Sequence, residues 1–173
     1  MCVVDLNLKA PFPHKYSKGV LGGTFDAFHL GHKRLIRLAA EMCDELLIGV
    51  TSDDFTRKAK LHDVEPFEKR LDNVASFVEL LGASDRTKIV RIDDPFGPAI
   101  SDDELKALFV TVDTIDNGFR INDKRRNEQL NPLEIIIVPK VMAQGGGFIS
   151  STRIRAAEID SEGRPVSERA SGS

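Results

Sequence analysis

The 173-residue sequence has only two cysteines, Cys2 and Cys43, and no motif spacing links them. That argues against a disulfide scaffold or a cysteine-built zinc site, and for a reducing compartment. No apolar run approaches the roughly 18 residues of a membrane span. Asp5, Asn7, Lys9 and Pro11 interrupt the N-terminal stretch, so it lacks the apolar core of a signal peptide. The expected location is the cytoplasm, with no membrane partner. A basic excess is missing too. The formal net charge is -3, which gives no reason to expect a nucleic-acid partner. Two frames for catalysis are also absent: there is no Gly-x-x-x-x-Gly-Lys-Ser/Thr phosphate loop and no serine nucleophile elbow.

With 41% hydrophobic and 29% charged residues, the chain reads as one globular domain with a sizeable core. Residues 1–17 hold two prolines and scattered polar groups and read as a lead-in segment. From residue 18 short apolar runs alternate with helical patterns. Val20 and Leu21 mark a first strand, and Leu35, Leu38, Ala39 and Met42 then fall at helical spacing. Residues 46–50 are continuously apolar, as in a strand covered on both faces. Pro66 opens a helix with Phe67, Leu71, Val74, Val78 and Leu81 as its apolar stripe, and Gly82 stops it. Strands follow at 88–92, 108–112 and 135–138, with a polar, basic helix over 117–130 and a last helix from Ser151. The domain is expected to span 18–160, with a disordered tail over 161–173.

This alternation predicts an α/β, Rossmann-like fold: an open, mainly parallel five-stranded sheet with helices on both faces. Ligands of such sheets bind beyond the carboxyl ends of the strands, where strand order reverses. Every unusual segment follows a strand: 22–32, 51–60, 93–98, 113–118 and 145–155.

The richest is Gly22-Gly23-Thr24-Phe25-Asp26-Ala27-Phe28-His29-Leu30-Gly31-His32. It reads as strand, glycine turn and helix start. Backbone N–H groups and the helix dipole favour phosphate there, and the imidazoles add side-chain donors. Gly31 is expected to let the backbone approach a ligand. Thr24 can donate to a phosphate, and Asp26 reads as a brace of the turn. The second segment is Ile149-Ser150-Ser151-Thr152-Arg153-Ile154-Arg155. Its hydroxyls can cap a helix, and with Arg153 and Arg155 they can also cradle a polyphosphate. Arg57, Lys58 and Lys60 lie on the presumed ligand side, while Arg70, Arg125 and Arg126 read by default as helix-surface charges. Phosphate-binding groups are plentiful, but no nucleophile sits beside a base. That favours chemistry in which the substrate brings its own nucleophile and the protein positions it and neutralises charge.

The two motif stretches together resemble the paired signatures of the HxGH nucleotidyltransferase superfamily. With Gly49-Val50-Thr51-Ser52-Asp53, Pro66-Phe67-Glu68-Lys69-Arg70, Asp94-Pro95-Phe96-Gly97-Pro98-Ala99, Ile121-Asn122 and Glu158-Ile159-Asp160, the chain is similar to phosphopantetheine adenylyltransferases of the archaeal and eukaryotic type. The resemblance implies adenylyl transfer from ATP to 4′-phosphopantetheine, giving dephospho-coenzyme A and pyrophosphate. It implies an ATP site of Gly22, Gly23, Thr24, His29, His32, Ser150, Ser151, Thr152 and Arg155, with His32, His29 and Lys58 as the catalytic groups. Thr24, Lys58, Lys60, Asn122 and Arg125 would contact the acceptor. Magnesium would be held mainly by the ATP phosphates, with no protein metal site. The residues leave two other readings open: a sister enzyme using nicotinamide mononucleotide or glycerol 3-phosphate, and a non-catalytic ATP-binding sensor.

Overall fold

In the computed structural model, residues 14–59 and 63–166 are described. Five strands, β1 (Tyr16–Gly23), β2 (Cys43–Thr51), β3 (Thr87–Ile92), β4 (Ala107–Val110) and β5 (Glu134–Ile137), form one sheet in the order β3-β2-β1-β4-β5. All four pairings are parallel. The chain winds outward from β1 to β3, then crosses back to place β4 on the other side of β1. The strand order therefore reverses between β1 and β4, as the ligand rule requires.

The connecting helices are α1 (Leu30–Met42), α2 (Asp53–Ala59), α3 (Phe67–Leu80), α4 (Ile115–Asn127) and α5 (Ser151–Arg155). Strand alternation assigns the two faces. Leu21, Leu46, Ile48, Val50 and Phe109 pack with Ile36 and Ala39 of α1 and Val74, Phe77 and Val78 of α3. Val20, Leu47, Leu108 and Val110 point the other way and pack with Ile121 of α4 and with Leu133. β2 is buried on both faces over Leu46–Thr51, which explains its unbroken apolar run. Gly82 follows α3 at φ +64°, the left-handed position that a helix C-terminus gives to glycine.

The structure corrects several boundaries. Tyr16 belongs to β1 and is buried, its ring edge on Phe109 with centroids 6.5 Å apart, so the lead-in ends sooner than expected. Its residues 1–13 lie outside those described. The segment after β2, where the sequence analysis places no helix, forms α2. The expected tail is ordered as far as residue 166: Ile159 bridges Pro165, and Asp160 Oδ1 accepts from Glu162 N–H at 3.0 Å and Arg164 N–H at 2.9 Å. Residues 167–173 lie outside those described. No helix among the described residues is long and apolar enough to cross a membrane.

Candidate active site

His29 is the N-cap of α1, with extended backbone (φ -133°, ψ 173°). Its Nδ1 accepts from Gly31 N–H at 3.1 Å, and His32 Nδ1 accepts from His29 N–H at 3.4 Å. The two histidines thus form a reciprocal cap of the kind more often built from Ser and Glu. With both Nδ1 atoms accepting, a neutral ring at either position carries its proton on Nε2. The rings stack with centroids 3.8 Å apart, and Phe25 and Phe28 pack on His32 at 5.3 and 5.7 Å. Burial pushes the His29 imidazolium down to about 4, against a smaller opposing pull from Asp26. His29 is therefore a neutral hydrogen-bond donor at physiological pH.

The structure adds two facts about this turn. Gly31 makes room for the His29 ring: a Cβ there would lie 2.9 Å from His29 Cε1. The N–H groups at the start of α1 are also partly occupied. Gly31 N–H goes to His29, and Leu30 N–H goes to the Ser161 carbonyl at 2.9 Å. Fewer backbone donors are therefore open at this turn than the sequence predicts.

The turn between β1 and α1 holds two non-glycine residues at positive φ, Phe25 (56°) and Ala27 (45°), a strained arrangement that needs outside support. Arg70 supplies part of it. Expected on the helix surface, it is fully buried. Its guanidinium donates to the carbonyls of Glu65 (2.7 Å), Thr24 (2.8 Å) and Thr51 (2.8 Å) and pairs with Asp53 (2.8 Å). Asp26 supplies the rest and is, as expected, a brace. It is 3% exposed, accepts from Glu65 N–H at 2.9 Å, and pairs through Oδ2 with Arg155. Its carbonyl accepts from Ser151 Oγ at 2.6 Å. The two motifs, over 120 residues apart in sequence, thus meet at one buried carboxylate.

Between them lies a cleft of about 350 Å³. Gly22, Gly23, Thr24, His29, His32, Ser150, Ser151, Thr152 and Arg155 all line it. Ser150 Oγ caps α5 by accepting from Arg153 N–H at 3.3 Å. Sequence reasoning missed Lys140, which lines the cleft between an ion pair with Asp113 and the Phe148 ring, 5.3 Å from its Nζ. Its place just after β5, on the ligand side, was the available signal. A second cavity of about 380 Å³ shares Gly22, Gly23, Thr24, Phe109 and Thr114 with the cleft and runs between β1, β4 and α4. It is largely apolar, walled by Val20, Leu108, Val110, Phe96 and Ile121. A larger cavity, about 650 Å³, lies over β2 and β3 and contains no residue of the 22–32 or 149–155 segments.

Residues 20–157 match the cytidylyltransferase-like family. The chain is 44% identical over 146 residues to the phosphopantetheine adenylyltransferase of Methanopyrus kandleri, covering 84% of this chain and 92% of that one. It is 39% identical over 142 residues to the enzyme of the same name from Pyrobaculum aerophilum, covering 82% and 92%. The chain belongs to the phosphopantetheine adenylyltransferase family. Among solved structures, a protein of unknown function from Archaeoglobus fulgidus superposes with a TM-score of 0.64 at 32% identity, over 77% of this chain and 99% of that one.

Not every residue assigned to the adenylyltransferase site reaches the cleft. Asn122 and Arg125, expected to contact the acceptor, line neither the cleft nor the apolar pocket. Asn122 exchanges two hydrogen bonds with the Leu133 backbone, at 2.9 and 2.8 Å. Arg125, 0% exposed, donates to the carbonyls of Asn131, Ala99 and Asp102. Both are buried because they fasten α4 to neighbouring loops. Arg153 likewise binds Glu158 and the carbonyls of Gly146 and Phe148, ordering the glycine loop. Lys58 is exposed on α2 and does not line the cleft. Lys60 lies outside the described residues. Arg126 is a surface charge paired with Asp123 at 2.7 Å.

Proposed function

We propose that this protein transfers the adenylyl group of ATP to 4′-phosphopantetheine, giving dephospho-coenzyme A and pyrophosphate. The observation that carries the reading is the paired cavity: a cleft of phosphate-binding side chains opening into an apolar pocket at the point where strand order reverses. Names and coverage of the relatives support the same acceptor.

The acceptor's phosphate oxygen attacks the α-phosphorus of ATP. The bond from that phosphorus to the oxygen bridging to the β-phosphorus breaks, and pyrophosphate leaves. The nucleophile is already anionic near neutral pH, so no strong base is needed, in keeping with the lack of a nucleophile–base pair. Thr24, shared by both cavities, holds the attacking phosphate. His29 and His32 donate through Nε2–H to the oxygens of the α-phosphoryl group, where charge builds in the transition state. Ser150, Ser151, Thr152 and Arg155 hold the β- and γ-phosphates, with Arg155 moving its fork from Asp26 toward the triphosphate. Lys58, exposed on α2 outside the cleft, keeps a role at the reacting phosphates only from the family resemblance. Magnesium, carried with ATP and held mainly by its phosphates, would neutralise charge on the triphosphate.

The test is pyrophosphate release from Mg-ATP, comparing 4′-phosphopantetheine with nicotinamide mononucleotide and, with CTP as well, glycerol 3-phosphate. Release with 4′-phosphopantetheine alone supports the proposal. Release only with another acceptor overturns the substrate while keeping the site. ATP binding without turnover on any acceptor overturns catalysis.

A further inference from the structure

A cleft built for a triphosphate also carries an accessible carboxylate. Asp113 lines it, beside Lys140, its ion-pair partner. They lie just beyond the ends of β4 and β5. The Asp113 side chain is 63% exposed and that of Lys140 24%, so a ligand in the cleft can reach both. Asp26, the other acid lining the cleft, is buried and serves as the brace of the turn. Asp113 has no such structural task.

The phosphate-binding groups stand on the other side of the cleft. Thr24 follows β1, His29 and His32 begin α1, and Ser151 and Arg155 of α5 are tied to the β1–α1 turn through Asp26. A carboxylate is a poor neighbour for a triphosphate, so phosphates held there leave the β4–β5 side to the nucleoside. Val138, Pro139 and Val141 on that side suit a flat base. Thr111 and Thr114 are turned on each other and on the Thr111 backbone. Asp113 and Lys140 remain for the sugar. A carboxylate only accepts, an ammonium only donates, and a sugar hydroxyl does both. An acidic side chain serves ribose hydroxyls in the same way in dinucleotide sites of doubly wound sheets.

We infer that Asp113 is a specificity residue for the nucleotide, its carboxylate accepting a hydrogen bond from a ribose hydroxyl. Lys140 is its positioning residue: it aims the carboxylate and cancels its charge against the triphosphate. The pair selects ribonucleotides over deoxynucleotides, which leave one charge-assisted bond unmade. This rests on the function proposed above only in taking ATP as the nucleotide.

The experiment is calorimetric binding of Mg-ATP and its 2′-deoxy and 3′-deoxy analogues, which needs no acceptor. Wild type, Asp113→Ala, Lys140→Met and the double variant are compared. The expected result is that wild type binds one deoxy analogue about 10-fold more weakly than ATP, the scale of one hydrogen bond to a charged group. Asp113→Ala should lose a similar factor on ATP and nothing further on that analogue. Lys140→Met should weaken ATP binding, and the double variant should recover part of the loss, because the unpaired carboxylate is gone. Equal losses by Asp113→Ala on all three nucleotides would mean that its pair with Lys140 only shapes the cleft, and would overturn the inference. A double variant no better than Lys140→Met would overturn the part given to Lys140. A wild type indifferent to both deoxy analogues would also overturn the inference, a comparison that holds even if the variants fail to fold. No binding of ATP by the wild type would overturn the functional reading itself, whereas binding without discrimination overturns this inference alone.

Discussion

His29 offers a quantitative test of how the site is built. Its ring is 7% exposed, and its protonation falls from the ordinary 6.5 to about 4, chiefly because burial disfavours the charged form. The unfolded chain therefore binds a proton below pH 6.5 that the folded chain refuses until about pH 4. Stability follows the difference in bound protons, so it declines as pH falls through this window and is intact above it. The linkage gives a loss of about 1 kcal/mol by pH 5.5, growing to about 3 kcal/mol as pH approaches 4. His29→Asn isolates this contribution, because asparagine is a good N-cap and does not titrate. Losing the stack on His32 adds a constant cost at every pH. Urea unfolding of both proteins from pH 7.5 to 4.5 should give curves that converge toward acid by these amounts, as the carboxylates common to both cancel. Parallel curves would refute the reasoning: His29 would then protonate in the folded state as readily as in water, and burial would not be what holds it neutral.

Three further outcomes follow from the geometry. His32→Ala should lower kcat by about 10²- to 10³-fold, the scale for removing one transition-state donor, while ATP affinity measured by calorimetry changes far less; equal losses would make His32 a ground-state contact. Arg155→Ala should raise KM for ATP by about 10- to 100-fold, through loss of charge-assisted bonds to phosphate. It should also destabilise the protein, because Asp26 is left buried without its cation; an unchanged KM would remove Arg155 from the nucleotide site. Arg70→Met should cost about 3–5 kcal/mol in urea unfolding, and Arg70→Lys should recover little of it, since one ammonium cannot replace a fork serving three carbonyls and Asp53.

What could be read from the sequence was set by short-range physics. The short apolar runs of β1 and β4, the buried run of β2 and the stripe of α3 are patterns within ten or so residues, and each element lies close to where expected, β4 ending at Val110 rather than at residue 112. The glycine turn and the hydroxyl cap of α5 are equally local. α2 was legible and was missed: Ser52 Oγ accepts from Phe55 N–H at 3.2 Å, with Asp53 and Asp54 in the first turn and Arg57 and Lys58 in the last, a full set of helix-end signals. The misplaced residues share a different cause. Arg70 reaches Thr24 across 46 positions, and Leu30 N–H is satisfied by a carbonyl 131 positions later. No local pattern separates an arginine destined for backbone carbonyls from one destined for water.

Those long-range bonds also explain why the site needs so much of the chain. Phe25 and Ala27 at positive φ bring Thr24, Asp26 and the two histidines onto one short turn, and such a turn does not hold itself. Every contact that steadies it comes from elsewhere: Arg70 from α3, Glu65 from the segment before α3, Ser151 and Arg155 from α5. Glu65 also accepts from Ala27 N–H at 3.0 Å, so both strained residues lie beside an outside anchor. The groups that would bind the α-phosphoryl are thus set before the nucleotide arrives, and their ordering cost is met on folding. Arg155 has a resting partner, Asp26, to exchange. A site whose task is to neutralise a phosphoryl transition state gains most from this arrangement, because donors already in place need not reorganise during the transfer.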